Sequence, residues 1–208
     1  MKKFELISEF VTNVFGKKLF RIKALVSFGD VSAGELGGFV EKEENLSNNG
    51  NAWVSGNARV SGDARVSGDA LVSGNARVSG NARVSGNAWV SGNALVSGDA
   101  RVSGDALVSG NARVSGNARV SGNAQVSGDA DFSVVTGFGR CFRATTFFRC
   151  KDKILRVQCG CFYGDLAKFR EIVKKTHGDS KYAKEYLAIA DLMELHFSDE
   201  EENQEADK

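Results

Sequence analysis

The 208-residue sequence has no proline and only two histidines, His177 and His196. Its four cysteines, Cys141, Cys150, Cys159 and Cys161, all lie in the last third of the chain. Each scarcity excludes something. Residues 1–176 offer no imidazole as a general base. Two histidines fall short of a three-histidine zinc site. The cysteines are spaced C-x8-C-x8-C-x-C without a C-x2-C knuckle, so packed, reduced thiols are expected and a metal is not. No apolar run approaches the ~18 residues of a membrane span. Lys2-Lys3 leads into alternating polar and apolar residues, so no signal peptide is expected and the protein is expected to be cytoplasmic. Residues 51–128 contain no threonine, which removes the threonine ladder of an ice-binding surface.

Glycine, in contrast, is abundant at 24 residues, and it recurs at a fixed spacing. From Asn51 the chain reads NAWVSG, NARVSG, DARVSG, DALVSG, NARVSG, NARVSG. The same 36-residue block returns from Asn87 with one change, Leu95 where the first block has Arg59, and a thirteenth unit, NAQVSG, ends at Gly128. Strict repetition of this kind marks a solenoid and not disorder. Valine, from Val54 to Val126, is the one large aliphatic present in every unit and should point inward. Alanine, four residues after each valine, suits a tight inner corner. The adjacent Gly and Asn/Asp supply turns because they tolerate left-handed backbone angles. Serine and the variable residue flank the valine, so strand alternation turns both outward.

The pattern V-S-G-[ND]-A-x resembles that of left-handed parallel β-helices, in which three hexapeptides form one triangular coil. The resemblance implies between four and five coils from the thirteen units, a body roughly 20 Å long at ~4.8 Å per coil. Three units per coil would sort the variable residues into three faces. One carries Trp53, Leu71, Trp89, Leu107 and Gln125. The second carries Arg59, Arg77, Leu95 and Arg113, and the third Arg65, Arg83, Arg101 and Arg119. Two Trp and two Leu in line form an apolar stripe that needs a cover. Packing of three chains, as in related solenoids, is the expected one; a fold-back of a helix over 180–197 is the competitor. The arginine ladders read as candidate anion-binding walls. The opposing account is neutralisation by Asp63, Asp69, Asp99 and Asp105, which occupy the neighbouring corners.

Both ends differ from the repeat. Residues 1–30 are expected to form a β-hairpin cap turning near Phe15-Gly16-Lys17-Lys18, and 31–131 the solenoid with a degenerate first coil. Residues 132–197 are expected to form an α/β domain. Asp165 caps a helix to about Thr176, with Leu166, Phe169, Ile172 and Val173 on one face. A second helix starts at Ser180, with Tyr182, Tyr186, Ile189 and Met193 along one side. Residues 198–208, six acids and one lysine, are expected to be a disordered acidic tail. The fold class is thus mainly β, with an N-terminal β cap and a small C-terminal α/β domain.

The flanking stretches LFRIKALVSFGDVSAGELGGFVEKEENLS and CGCFYGDLAKF…THG…YAKEY resemble those of uncharacterised phage and prophage hexapeptide-repeat proteins. The resemblance implies a phage context inside a bacterial host. There it suggests a non-enzymatic counter-defence role: sequestering an anionic signal such as a nucleotide, or binding a host defence protein. Nucleic acid is a less favoured partner, no cofactor is expected, and a structural scaffold is the alternative. The repeat also resembles that of acyltransferases, but their histidine base has no counterpart in the solenoid here.

Overall fold

The computed structural model describes residues 2–128 and 131–198, which fall into two compact units, one on each side of the 129/130 boundary. The acidic stretch 199–208 lies outside the described residues, and the first unit is a β-solenoid. Strands β1 (Phe4–Thr12), β2 (Lys18–Ala24) and β3 (Leu36–Val40) precede thirteen two-residue strands. These short strands, β4 to β16, fall on the variable residue and valine of each unit, from Trp53–Val54 to Gln125–Val126. They stack as three parallel sheets, ordered β4-β7-β10-β13-β16, β5-β8-β11-β14 and β6-β9-β12-β15, about five turns in all.

The register follows from the eighteen residues in each coil. Arg65 N–H donates to the Ala82 carbonyl at 2.9 Å and Ser67 N–H to Val84 at 3.0 Å, and the same offset recurs along every face. Every valine and alanine of the thirteen units is buried, so each coil contributes three of each to the core. Full burial of a valine stabilises by ~1.5–3 kcal/mol. The glycine columns require glycine on two counts. Gly86 has φ +68°, and a Cβ there would meet the Gly104 nitrogen at 2.8 Å.

A solenoid end exposes carbonyls that inner coils satisfy with the preceding turn. Here each face finds a different donor. Phe39 N–H donates to Ala58 at 2.9 Å as β3 pairs parallel with β5. Asn45 Nδ2 reaches Gly62 and Ala64 at 3.0 and 2.8 Å. The buried Lys3 ammonium donates to Ala52 at 2.8 Å and Gly50 at 3.2 Å, under the Phe28 ring. Burial pushes this ammonium down to about 8, with Asp69 opposing part of the shift. β1 and β2 form an antiparallel hairpin that continues the sheet outward from β3.

Aligned at eighteen-residue intervals, two of the three corners alternate in charge: Asn51, Asp69, Asn87, Asp105, Asn123, and Asp63, Asn81, Asp99, Asn117. The third, Asn57, Asn75, Asn93, Asn111, is asparagine throughout. No two carboxylates are neighbours in either mixed column. This alternation, with that of Trp and Leu at 53, 71, 89 and 107, gives the 36-residue period, which is two coils.

The second unit has an antiparallel sheet of β17 (Phe132–Val135), β18 (Thr145–Arg149), β19 (Leu155–Cys159) and β20 (Phe162–Asp165), in that order. Helices α1 (Leu166–His177) and α2 (Lys181–Phe197) follow. Asp165 caps α1 by accepting from Lys168 N–H at 2.7 Å, and Ser180 accepts from Ala183 N–H at 3.4 Å. Phe147, Val157, Phe169, Val173, Tyr186, Ala190 and Met193 form the core. Of the four residues along one side of α2, Tyr186, Ile189 and Met193 are buried and Tyr182 is exposed; Ala183 is buried beside them. No helix among the described residues is long and apolar enough to cross a membrane.

Candidate functional site

The structure stacks the variable residues in the three columns that the repeat dictates. Arg65, Arg83, Arg101 and Arg119 pair in register on one face. Arg59, Arg77, Leu95 and Arg113 do so on the second, with Phe39 below Arg59. Trp53, Leu71, Trp89, Leu107 and Gln125 line the third.

Adjacent guanidinium stems in a column stand one strand spacing apart, so like charges repel by about 1 kcal/mol per neighbour in water. The corner aspartates form no direct ion pair with these arginines and take other hydrogen-bond partners. Asp63 is held by the Lys42 ammonium at 2.6 Å, which keeps its carboxyl below the usual carboxylate range; Arg65 adds only the smallest contribution to that shift. Asp69 accepts the Asn51 backbone N–H at 2.9 Å. Asp99 and Asp105 accept side-chain amides from Asn81 at 3.0 Å and Asn87 at 2.9 Å. Among the described residues, no carboxylate lies within 4.0 Å of the Arg65, Arg83 or Arg101 guanidinium groups. At these three rungs the corner aspartates act on the ladder only at longer range, as Asp63 does with Arg65.

The first two rungs of this face also border a groove of about 610 Å³. Arg65, Arg83, Ser67 and Ser85 form one wall, and the turn that carries Glu43, Glu44, Ser47 and Asn48 forms the other. Glu43 is engaged by Lys2 at 2.5 Å; Glu44 places a second acid at this mouth. The arginines and serine hydroxyls supply donors to an oxyanion on one wall, and the acids limit how far it can extend toward the other. The 43–48 turn is not legible as part of a site from the repeat. Leu46 pairs with Val66 and Phe39 with Arg59, both at an offset of twenty residues and not eighteen, so the register slips just before the regular units.

The apolar column is shorter than its sequence suggests. Trp53, a candidate interface residue, is only 3 % exposed, because Phe28 of the N-terminal cap packs edge-on against it at 5.5 Å. Leu71 and Trp89 remain 41 % and 49 % exposed, and Leu107 is half-buried. Trp89 Nε1 donates to Ser73 Oγ of the preceding coil at 3.0 Å.

In the second unit Cys159 ends β19 and Cys161 sits, exposed, in the two-residue turn before β20. Cys150 is buried, which pushes its thiol up, and Arg156 opposes the shift. Among the described residues no three His, Cys, Asp or Glu side chains group to hold a metal ion. His177 stacks on Tyr186 at 5.8 Å, and His196 packs against Phe197 at 4.8 Å.

The repeat region matches the YdcK beta solenoid repeat over six overlapping segments, 52–67, 64–80, 76–92, 88–104, 100–114 and 112–128. The chain is thus similar to that repeat family across its solenoid, in agreement with the stacked parallel sheets. No curated protein matches the chain.

Proposed function

We propose that the protein is a non-enzymatic binding protein whose solenoid wall holds an anionic ligand, with the Arg65–Arg83–Arg101–Arg119 face as the binding surface. The carrying observation is the set of outward, in-register arginines at 65, 83 and 101, whose neighbouring aspartates are committed to Lys42, Asn51, Asn81 and Asn87. A column of guanidinium groups about 4.8 Å apart suits a polyanion with several phosphoryl groups better than a lone carboxylate. The groove at Arg65 and Arg83 gives one end of such a ligand a partial enclosure. A nucleotide signal fits this chemistry. In the phage setting that the flanking sequences resemble, its sequestration in the host cytoplasm would serve counter-defence. A host defence protein with an acidic surface is the macromolecular form of the same reading. The solenoid is taken as a left-handed β-helix of hexapeptides, three to a coil, assembled as a homotrimer.

Native mass spectrometry of the full chain, purified from infected or defence-active cells, tests this. A bound nucleotide supports sequestration, and a bound host protein supports direct inhibition. A chain that carries neither, and that self-assembles, favours a scaffold. That second reading has its own observation, the exposed Leu71–Trp89 pair.

A further inference from the structure

The 130–208 unit contains a cavity of about 240 Å³ that the ladder reading leaves unused. Phe162, Phe169, Ile172 and Val173 give it an apolar body, and Arg140, Arg143 and His177 give it a polar margin. None of its lining residues is acidic, and among the described residues no carboxylate lies within 4.0 Å of either arginine. The nearby Glu185 carboxylate is occupied, accepting Gly139 N–H at 2.9 Å and facing Lys181 at 3.5 Å.

Two glycines make room for the polar groups of this cavity. A Cβ on Gly139 would fall 2.1 Å from the Tyr186 hydroxyl, and one on Gly160 would fall 2.7 Å from Arg143 Nη1. Both glycines have positive φ, +70° and +60°, so side chains are disfavoured there twice over. Between the lining residues Cys141 and Arg143, Phe142 holds φ +50° with its ring 72 % exposed. A bulky aromatic in the left-handed region costs ~1–3 kcal/mol, and such outliers cluster at ligand sites. Tyr186 is buried, and its phenol is pushed up to about 12, chiefly by burial and then by Cys159; protonated at neutral pH like any phenol, its hydroxyl is a hydrogen-bond donor.

We infer that this cavity binds a small amphiphilic anion: one oxyanion head held by Arg140 and Arg143, on an aromatic or branched apolar body. The volume lies just below the ~300–1,000 Å³ of sites for drug-sized ligands, so the ligand has on the order of ten non-hydrogen atoms. Arginine presents a planar fork that matches an oxyanion, and the apolar floor contributes by burial. The site belongs to the second unit and does not depend on the solenoid ladder.

The test uses the full chain with three probes: 3-phenylpropanoate, its uncharged amide, and inorganic phosphate. Calorimetry or ligand-observed NMR should show the acid binding at least tenfold tighter than either of the others. Arg143→Gln and Arg140→Gln should each weaken the acid about tenfold, whereas the double change Arg83→Gln and Arg101→Gln should leave it unaltered. Cys161, exposed at the cavity, gives a readout on the unaltered chain. Saturating acid should slow its alkylation by iodoacetamide at least threefold, and the amide at equal concentration should not. Failure of the acid to bind at 10 mM (about 3 kcal/mol of affinity at most), or equal binding and equal protection by acid and amide, would overturn the assignment. Should an arginine variant fail to fold, the acid–amide comparison on the unaltered chain decides alone.

Discussion

Asn87 donates its side-chain amide to the Asp105 carboxylate one coil further along, at 2.9 Å, and Asn81 does the same to Asp99 at 3.0 Å. The all-asparagine corner makes longer contacts, 3.5, 3.3 and 3.2 Å from Asn57, Asn75 and Asn93. A charged acceptor shortens and strengthens the bond. The alternation therefore places each carboxylate between amides and keeps acids apart. Asn87→Asp would set a third carboxylate between Asp69 and Asp105. It should destabilise the solenoid by about 1–2 kcal/mol at neutral pH, from one lost amide bond and two like-charge contacts. Because crowding raises carboxylate pKa values, the loss should shrink as pH falls toward 4 and as salt is added. Thermal melts followed by circular dichroism check this. A variant as stable as the parent at pH 7 and low salt would show that the columns have no electrostatic role.

Much of this fold is legible in the sequence because each repeat position has one job. Valine is the only inward-facing large side chain and glycine the only residue that fits its column, so sorting by eighteen yields the faces without coordinates. Legibility fails where a second element intervenes. Trp53 looks like its equivalent Trp89 in the repeat, yet Phe28, 25 residues earlier and outside the periodic region, covers it. The aspartates could be placed beside the arginines from the sequence, but not their competition. Asp63 points to Lys42 because the cap brings that lysine within 2.6 Å, and no repeat rule announces the twenty-residue offset of the cap. The cavity at Arg140 and Arg143 depends on Gly139, Gly160 and the turn at Cys161, all in irregular backbone with no period to read.

Lys3 provides a pH-dependent prediction. Its folded-state value, about 8, lies below the ordinary 10.5, so between these values the unfolded chain binds more protons than the folded one. Stability should therefore rise as pH rises from about 8 to 10.5, by up to ~3 kcal/mol from this group. Lys3→Met removes the titration and leaves the Ala52 carbonyl without its donor, at a cost of ~1–3 kcal/mol. The difference between parent and variant denaturation curves across pH 7–11 isolates Lys3 from the other lysines. A constant difference across that range would mean that the ammonium is not desolvated in the folded protein.

The exposed column predicts assembly. With Trp53 sealed by Phe28, the candidate interface residues left accessible are Leu71 and Trp89, with Leu107 half-buried. A homotrimer should appear by light scattering, and Trp89→Glu should shift it toward monomer by at least tenfold in association constant, since a charge in a buried contact costs well over 1.4 kcal/mol. Trp53→Phe should leave assembly unchanged, because that side chain is already covered within the chain. A monomer near the 22.3 kDa of one chain at all concentrations would remove the trimer and leave the stripe without this role.

The ladder itself gives the sharpest test of the proposed binding. Arg83 and Arg101 stand in register, point outward and lack a carboxylate within 4.0 Å among the described residues. Replacing both with glutamine should leave the melting profile unchanged or slightly improved, since three like-charge contacts, 65–83, 83–101 and 101–119, each of about 1 kcal/mol or less in water, are removed. If the face grips phosphoryl groups, each charge-assisted bond contributes ~1.5–3 kcal/mol, so affinity for a nucleotide probe such as a cyclic dinucleotide should fall at least tenfold. The parent's affinity should weaken steeply between low and physiological salt, and the variant's dependence should be shallower. Arg59→Gln with Arg77→Gln supplies the comparison on the second face, whose column is broken by Leu95 and therefore holds fewer adjacent charges. Equal losses from both pairs would point to a diffuse positive field, while a loss confined to the Arg83 and Arg101 pair would locate the contact. If neither pair alters binding of a nucleotide that the parent holds, the solenoid wall is not the binding surface.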